Sequence, residues 1–157
     1  VEACMKAVAR HPGEDEELWG LTGLLHDLDY EVTEKDPEQH ALGTVKILED
    51  YDLPEEILQA IKAHAGRVPC RSKMDWAIFS IDPLTGLIIA ATLMHPTKKL
   101  KEVDLDFIKR RYKEKSFARG AKREEIEQIK NIGLELDQFI SICLEAMQEI
   151  DKELGLY

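Results

Sequence analysis

The sequence predicts an all-α protein folded as a compact bundle of helices. Apolar residues recur at intervals of three and four along most of the 157-residue chain, and helix-start and helix-stop residues separate these segments. No segment shows the sustained alternation of apolar and polar residues that is typical of β-strands. Because no heptad repeat is sustained, we expect short helices that pack orthogonally rather than a coiled coil.

Two helices are predicted before residue 28. The segment 1–10 carries apolar residues at helical spacing, and the sequence His11-Pro12-Gly13 ends it. The segment 14–27 begins with acidic residues, which the positive N-terminal end of the helix dipole favours. Its leucines then repeat at intervals of three and four, so one face of this helix should be buried.

Helix-start residues mark the next two helices. Asp36 can cap a helix, Pro37 suits the first helical position, and Gln39 stands at the spacing of a capping box. These three residues predict a helix over 36–50. The following helix is predicted over 54–66, between a proline and a closing glycine.

A long apolar helix dominates the middle of the chain. Asp75 can cap it, and it should end before Pro96. Pro83 lies inside this helix and predicts a kink or a restart there. Further helices are predicted over 104–113, 122–132 and 136–154, and loops over 30–35, 67–73 and 114–121.

The length and charge restrict the classes of protein to consider. A chain of this length predicts a single domain over 1–157, with a core over 1–96 on which the helices of 97–157 pack. The chain has 21 Lys and Arg against 31 Asp and Glu, and the net charge of −10 argues against binding to long nucleic acids or acidic membranes. The longest apolar run, 84–94, is too short to span a membrane. The sequence indicates no particular oligomeric state.

Cysteine usage and the first residues bear on location. The three cysteines are far apart and form no C-x-x-C pattern, which favours free thiols in a reducing cytoplasm. The chain begins with Val1 in what reads as the middle of a helix, so we expect further residues upstream.

Ionisable residues on apolar helix faces are the first indication of chemistry. Asp82 shares its predicted helix face with Ile78 and Ile81, and His64 shares one with Ile57 and Ile61. A carboxylate on a buried apolar face must be paired, protonated or coordinated to a cation, because burying it bare is very costly.

Further metal-ligand types stand on other helices. The pair His26-Asp27 ends a buried helix, and His40 should lie one turn into the next one. Imidazole and carboxylate together are ligands for first-row transition metals, and bundles build metal sites from side chains of facing helices. For His26, Asp27 and Asp82 the alternative is a hydrogen-bonded core network. For His40 and His64 the alternative to a second metal is helix packing.

The sequence Leu24-Leu25-His26-Asp27, followed by Asp82, resembles the HD-domain superfamily of metal-dependent phosphohydrolases, which is named for that His-Asp pair. The resemblance extends over about residues 1–94. His40 and His64 match the two additional histidines that many members carry, which are associated with binuclear metal sites.

The resemblance implies an activity and a set of roles. It implies hydrolysis of a small phosphate ester, with a nucleotide as the expected substrate, by water that one or two divalent metals activate. The metals would be Fe, Mn, Ni, Co or Zn, and the implied ligands are His26, Asp27, His40, His64 and Asp82. Asp27 would also be catalytic, as a carboxylate that bridges two metals.

Two departures from the family pattern matter. The family's first histidine stands upstream of the pair, whereas residues 1–10 contain none, so we expect it to precede Val1. The common form His-Asp-Ile-Gly-Lys is replaced here by His26-Asp27-Leu28-Asp29-Tyr30. Asp29 is therefore a candidate outer-shell catalytic acid or base, the alternative being a surface carboxylate.

The segment Lys98–Arg123 is strongly basic, with 11 Lys and Arg against 4 Asp and Glu and thus a local net charge of +7. One interpretation is a solvated helix with flanking loops. The other is that some of these cations hold a substrate phosphate, with Lys115, Arg119 and Arg123 as the candidates.

Two rival functions remain open at this point. A non-catalytic module of the same type would bind a nucleotide or a protein without turnover. A purely structural bundle would use the histidines and carboxylates for stability alone.

Overall fold

A computed structural model describes residues 1–157, and every regular element in it is a helix, which confirms the predicted all-α class. The α-helices are, in chain order, α1 (Glu2–Ala9), α2 (Glu16–Leu25), α3 (Tyr30–Thr33), α4 (Leu42–Leu48), α5 (Glu55–His64), α6 (Lys73–Met94), α7 (Leu105–Lys113), α8 (Arg123–Ile126) and α9 (Leu136–Glu149). Three 3₁₀ segments cover Pro37–Gln39, Leu100–Glu102 and Glu127–Ile132.

Helix α6 forms the centre of the molecule. It packs against α1, α5, α7, α8 and α9, and its residues Leu84, Leu87 and Ile88 are fully buried. Its length and composition would allow it to cross a membrane, but 56% of its most apolar stretch is buried inside the protein. The apolar residues of α6 are therefore used by the core.

The other helices surround α6 in a way that fixes the positions of α2 and α5. Helix α1 packs along α2 and against α9, with Met5 and Val8 in the main core. Helices α4 and α5 enclose a smaller cluster that contains Leu48, Ile57 and Ile61. The C-terminal end of α2 and that of α5 are thus both held beside α6.

Two details of α6 differ from the prediction. Its cap is Ser72 rather than Asp75: the Ser72 hydroxyl accepts from the Asp75 N–H at 3.1 Å, and the Asp75 carboxylate accepts from the Ser72 N–H at 3.2 Å. Asp75 thus closes a capping box from the third helical position. The helix also continues through Pro83 without a restart.

The start of α4 was predicted wrongly. The Asp36 side chain makes no capping bond, Pro37–Gln39 forms only one 3₁₀ turn, and α4 begins at Leu42. Ala41 before it has a φ of 69°. Arg67 stabilises this interruption of the helix. Its guanidinium donates to the carbonyl oxygens of Pro37 and His40, the latter at 3.0 Å.

The remaining boundaries differ where tertiary contacts outweigh local preference. Tyr30–Thr33 was predicted as a loop but forms the short α3, whose Thr33 hydroxyl donates to the Asp29 carbonyl at 2.8 Å. The predicted helix over 122–132 is a short α-helix followed by a 3₁₀ segment. Helix α9 ends at Glu149 rather than at 154, because the chain turns back and the Leu156 carbonyl accepts from the Leu100 N–H at 2.8 Å.

Candidate metal centre

Five side chains from separate parts of the chain meet beside α6. His26 is the residue at which α2 ends, Asp27 follows it, and His64 is the last residue of α5. Asp82 comes from the middle of α6. The sequence predicted that His40 lies one turn into a helix. In the structure it lies in the break before α4 instead.

The first group of donor atoms is centred on Nε2 of His26. The Nε2 of His26 lies 3.4 Å from Oδ1 of Asp82 and 3.7 Å from Oδ2 of Asp27. The other ring nitrogen of His26 lies 2.8 Å from the carbonyl oxygen of Gly23. Because a carbonyl only accepts, it selects the tautomer with the proton on Nδ1, and Nε2 keeps its lone pair for the site.

The second group surrounds the other oxygen of Asp27. Its Oδ1 lies 3.2 Å from Nε2 of His40 and 3.8 Å from Nε2 of His64. The two imidazole nitrogens are themselves 3.2 Å apart. The Nδ1 of His64 lies 2.5 Å from the carbonyl oxygen of Ile61, so Nε2 of His64 also faces the site unprotonated in the neutral ring.

This arrangement fits a cation. Asp27 Oδ1 is buried and has no hydrogen-bond partner, which is unfavourable for a carboxylate oxygen unless a positive charge lies next to it. The donor atoms of His26, Asp27 and His64 all lie within 4.8 Å of one another. Converging imidazole nitrogens and carboxylate oxygens are the donor set of a divalent transition metal.

The charges of the site shift the pKa values of its members. Burial lowers the pKa of His26, but the hydrogen bond and charge of Asp82 and the charge of Asp27 outweigh it, so the net shift is upward. Burial raises the pKa of Asp82, but the hydrogen bond and charge of His26 more than reverse this. Burial also raises the pKa of Asp27, but its interactions with His64, His26 and His40 outweigh burial, so the net shift is downward. A proton on the His26 imidazole therefore competes with a metal for this site.

Asp29 orients His40 and does not reach the ligand atoms directly. Its carboxylate is completely buried: Oδ2 accepts from the Thr44 N–H at 3.1 Å, and Oδ1 lies 3.0 Å from Nδ1 of His40. Its burial excludes the surface alternative. A carboxylate on the far nitrogen of a ligating histidine fixes the ring and raises its basicity. Gly43 allows this approach, since a Cβ there would lie 2.8 Å from Oδ2 of Asp29.

The helical spacing predicted that Asp82 lies on a buried apolar face. In the structure it lies at the rim of the site instead. Its side chain is 40% exposed. Together with Pro83 and Gly86 it lines one wall of a cavity of about 480 Å³, and we call this space the metal-site cavity. Asp27, His40 and Tyr30 also line this cavity, together with the loop residues Ala118, Gly120 and Ala121.

The predicted phosphate-binding cations do not line the cavity that contains the proposed metal ligands. The Arg123 guanidinium donates to the carbonyl oxygens of Arg111, Tyr112, Glu114, Phe117, Ala118 and Ala121. These bonds occupy its donors, so the expectation that Arg123 holds a substrate phosphate is not retained. Lys115 and Arg119 line a neighbouring cavity instead.

Sequence reasoning missed Tyr30 and the glycines of the site. The Tyr30 ring is 57% exposed and stands edge-on to His40, with 6.1 Å between ring centroids. Its place directly after the His-Asp segment was the available indication. Gly43 and Gly86 had no local pattern that distinguished them, because their roles depend on what packs opposite.

Comparison with known proteins gives one match. The family model of the HD domain matches residues 1–85, which include His26, Asp27, His40, His64 and Asp82. No curated protein and no solved structure gives a significant match.

Proposed function

Since the chain belongs to the HD-domain family, we propose that it is a metal-dependent phosphohydrolase that cleaves a small phosphate ester, and that the ester is a nucleotide. Most of the family are metal-dependent phosphohydrolases, and the donor set described above is suited to that chemistry. The proposal names Asp27 as the central residue of the site.

The observation that carries the proposal is the division of donor atoms around Asp27. Its Oδ2 faces His26, which is next to Asp82, and its Oδ1 faces His40 and His64. A carboxylate can give one oxygen to each of two cations. This division supports a site in which Asp27 would help to hold two divalent metals, chosen from Fe, Mn, Ni, Co and Zn.

The protein's own residues would prepare the site for hydrolysis. When bound, divalent metals supply a water of lowered pKa and positive charge for the phosphoryl oxygens. Asp29 keeps the proton of His40 on Nδ1 and so directs Nε2 of that ring into the site. Gly86 leaves the cavity wall open beside Asp82, where a phosphoryl group has room to enter.

Tyr30 supports a nucleotide as the substrate. Its exposed ring lines the metal-site cavity and also an adjoining hollow of about 240 Å³, which His40, Thr33 and Pro37 share. An aromatic face beside the reacting group can stack with a nucleobase. The base would then lie on the α3 side of the site.

We also propose a cytoplasmic protein that acts on small molecules and binds neither long nucleic acids nor membranes. The net charge of −10 and the use of α6 in the core support this proposal.

The test is the substitution Asp27→Ala. We expect it to remove bound metal and to lower the hydrolysis of 4-nitrophenyl phosphate with added Mn²⁺ by at least ~100-fold, since even residues behind metal ligands cost 10–100-fold. Asp50→Ala, which removes an exposed carboxylate, is the matched control. An Asp27→Ala protein with full activity and metal content would contradict the proposal, and a wild-type protein that binds metal but hydrolyses no ester would favour the binding module.

A further inference from the structure

A second cavity lies next to the metal-site cavity and is lined mainly by cations. It has a volume of about 470 Å³, and we call it the basic cavity. Its cationic side chains are Lys113, Lys115, Arg119, Lys122 and Arg123. A cavity of this size is in the usual range for small-molecule sites.

Three of these cations have no partner within the protein. Lys113, Lys115 and Arg119 form neither an ion pair nor a side-chain hydrogen bond, whereas Lys122 pairs with Glu125 at 2.9 Å. The basic cavity thus carries unpaired positive charge at three positions of a short stretch of chain. Unpaired Lys and Arg side chains that face one hollow are suited to a phosphoryl group, Arg through paired N–H donors and Lys as a point charge.

Two carboxylates also line the basic cavity and leave its balance positive. Glu127 accepts a hydrogen bond from the Tyr112 hydroxyl at 3.2 Å, so one carboxylate oxygen of Glu127 already has a partner. Glu124 is exposed at the edge. The two carboxylates are outnumbered by the three unpaired cations and by Arg123, which is bonded to the backbone.

The loop 118–121 contributes residues to the lining of both cavities. Ala118 and Gly120 line the metal-site cavity, Arg119 between them lines the basic cavity, and Ala121 lines both. The two cavities therefore adjoin at Ala121, and Lys115 and Arg119 line only the basic cavity. A group bound by Lys115 and Arg119 would be a neighbour of the phosphoryl group that is hydrolysed, and not that group itself.

We propose that the basic cavity binds a second phosphoryl group of the substrate, so that the preferred substrate carries two phosphoryl groups, as a nucleoside diphosphate does. This inference rests on the proposed function, because it places the first phosphoryl group at the metal centre. It assigns Lys113, Lys115 and Arg119 to substrate selection and gives the basic segment a specific ligand.

Binding to the metal-free protein tests the basic cavity independently of hydrolysis. Equilibrium dialysis in EDTA would compare adenosine 5′-diphosphate with adenosine 5′-monophosphate, which differ by one phosphoryl group. We expect wild type to bind the diphosphate about tenfold more tightly, and the double variant Lys115→Ala/Arg119→Ala to lose that preference. Because the cavity is open to solvent, the preference should also weaken with added salt.

The matched control removes the same charge elsewhere. Lys99→Ala/Lys130→Ala deletes two exposed, unpaired lysines that do not line the basic cavity, and it should keep the wild-type preference. If the cavity double variant kept that preference, or if the control lost it equally, the assignment would be overturned. Thermal unfolding of both variants checks that neither change has altered the fold.

Kinetics with added Mn²⁺ distinguish this inference from the proposed function. In the cavity variant the ratio of KM for the diphosphate to KM for the monophosphate should rise about tenfold. Equal increases in both KM values would mean that the cations hold the hydrolysed phosphoryl group, which overturns the inference. Absence of hydrolysis with both nucleotides, together with the expected dialysis result, would contradict the proposed function and leave the cavity assignment supported.

Discussion

In the proposed metal centre, the orientation of His40 depends on a second residue, Asp29. Asp29 is fully buried and lies 3.0 Å from Nδ1 of His40, so it fixes both the ring and its tautomer. We expect Asp29→Ala to weaken metal binding by about 10–100-fold, the usual effect of losing such a partner. Metal titration against a competing chelator measures this, and Glu31→Ala, which removes a nearby exposed carboxylate, should have no effect.

A second variant separates orientation from folding. Gly43→Ala would place a methyl group 2.8 Å from Oδ2 of Asp29 and displace that carboxylate, whereas a Cβ at Gly86 meets no atom within 4 Å. Metal affinity should therefore fall for Gly43→Ala and stay unchanged for Gly86→Ala. Wild-type affinity in both Asp29→Ala and Gly43→Ala would show that His40 needs no support from Asp29.

At this scale the sequence predicts the types of the site residues better than their surroundings. His26, Asp27, His40, His64 and Asp82 were predicted as one group from their types and order, and the structure brings them together. The rim position of Asp82 was not predictable, because helical spacing alone cannot show that the turn with Gly86 opens onto a cavity. The role of Asp29 likewise depends on Thr44, fifteen residues away.

Among the elements, the loop 114–121 owes its shape to Arg123. The guanidinium bonds six backbone carbonyls around it, with distances of 2.7 Å to Phe117 and to Ala121. We expect Arg123→Ala to lower the free energy of unfolding by about 2–3 kcal/mol, since carbonyls that are mostly half-buried would lose charged donors. Urea denaturation measures this change.

Arg119 provides the comparison in the same loop. It is exposed and makes no bond within the protein, so Arg119→Ala should change the free energy of unfolding by less than about 0.5 kcal/mol. Arg123→Lys should not restore stability, because one ammonium group cannot reach carbonyls on several sides. Equal stability of the Arg119 and Arg123 variants would contradict this account of the loop.

The helix boundaries show where local patterns stop being informative. The long apolar helix was predicted from its periodicity, and the structure contains it as α6. The expected start at Asp36 failed because Arg67, thirty residues further along the chain from Pro37, binds the carbonyls of that segment. Such long-range bonds leave no trace in the local spacing of apolar residues.

For the whole molecule, metal binding should stabilise the fold. The proposed ligands come from the end of α2, from α5 and α6 and from the segment before α4, so a bound metal would connect parts that are distant in sequence. A ligand that binds only the folded state adds about 4 kcal/mol at 1,000 times its Kd. We expect EDTA to lower the Tm of wild type and to leave that of Asp27→Ala unchanged, as measured by calorimetry. An unchanged wild-type Tm after complete metal removal would contradict this coupling.

The local distribution of charge over the whole molecule is more informative than the net charge. The net charge of −10 includes Asp27 and Asp82, the carboxylates of the proposed metal centre, whose charge a bound metal would offset. Five of the eleven Lys and Arg residues of the segment 98–123 line the basic cavity. The total thus disfavours long polyanions while allowing one small anion at this place.

The number of metal ions bound per chain tests the central claim most directly. Elemental analysis of wild type reconstituted with Mn²⁺ should find two ions per chain, because each oxygen of Asp27 faces its own set of donors. Asp27→Ala should lose both ions, and His64→Ala should lose one. A wild-type protein with one ion or none, or an Asp27→Ala protein that retains two, would contradict the account.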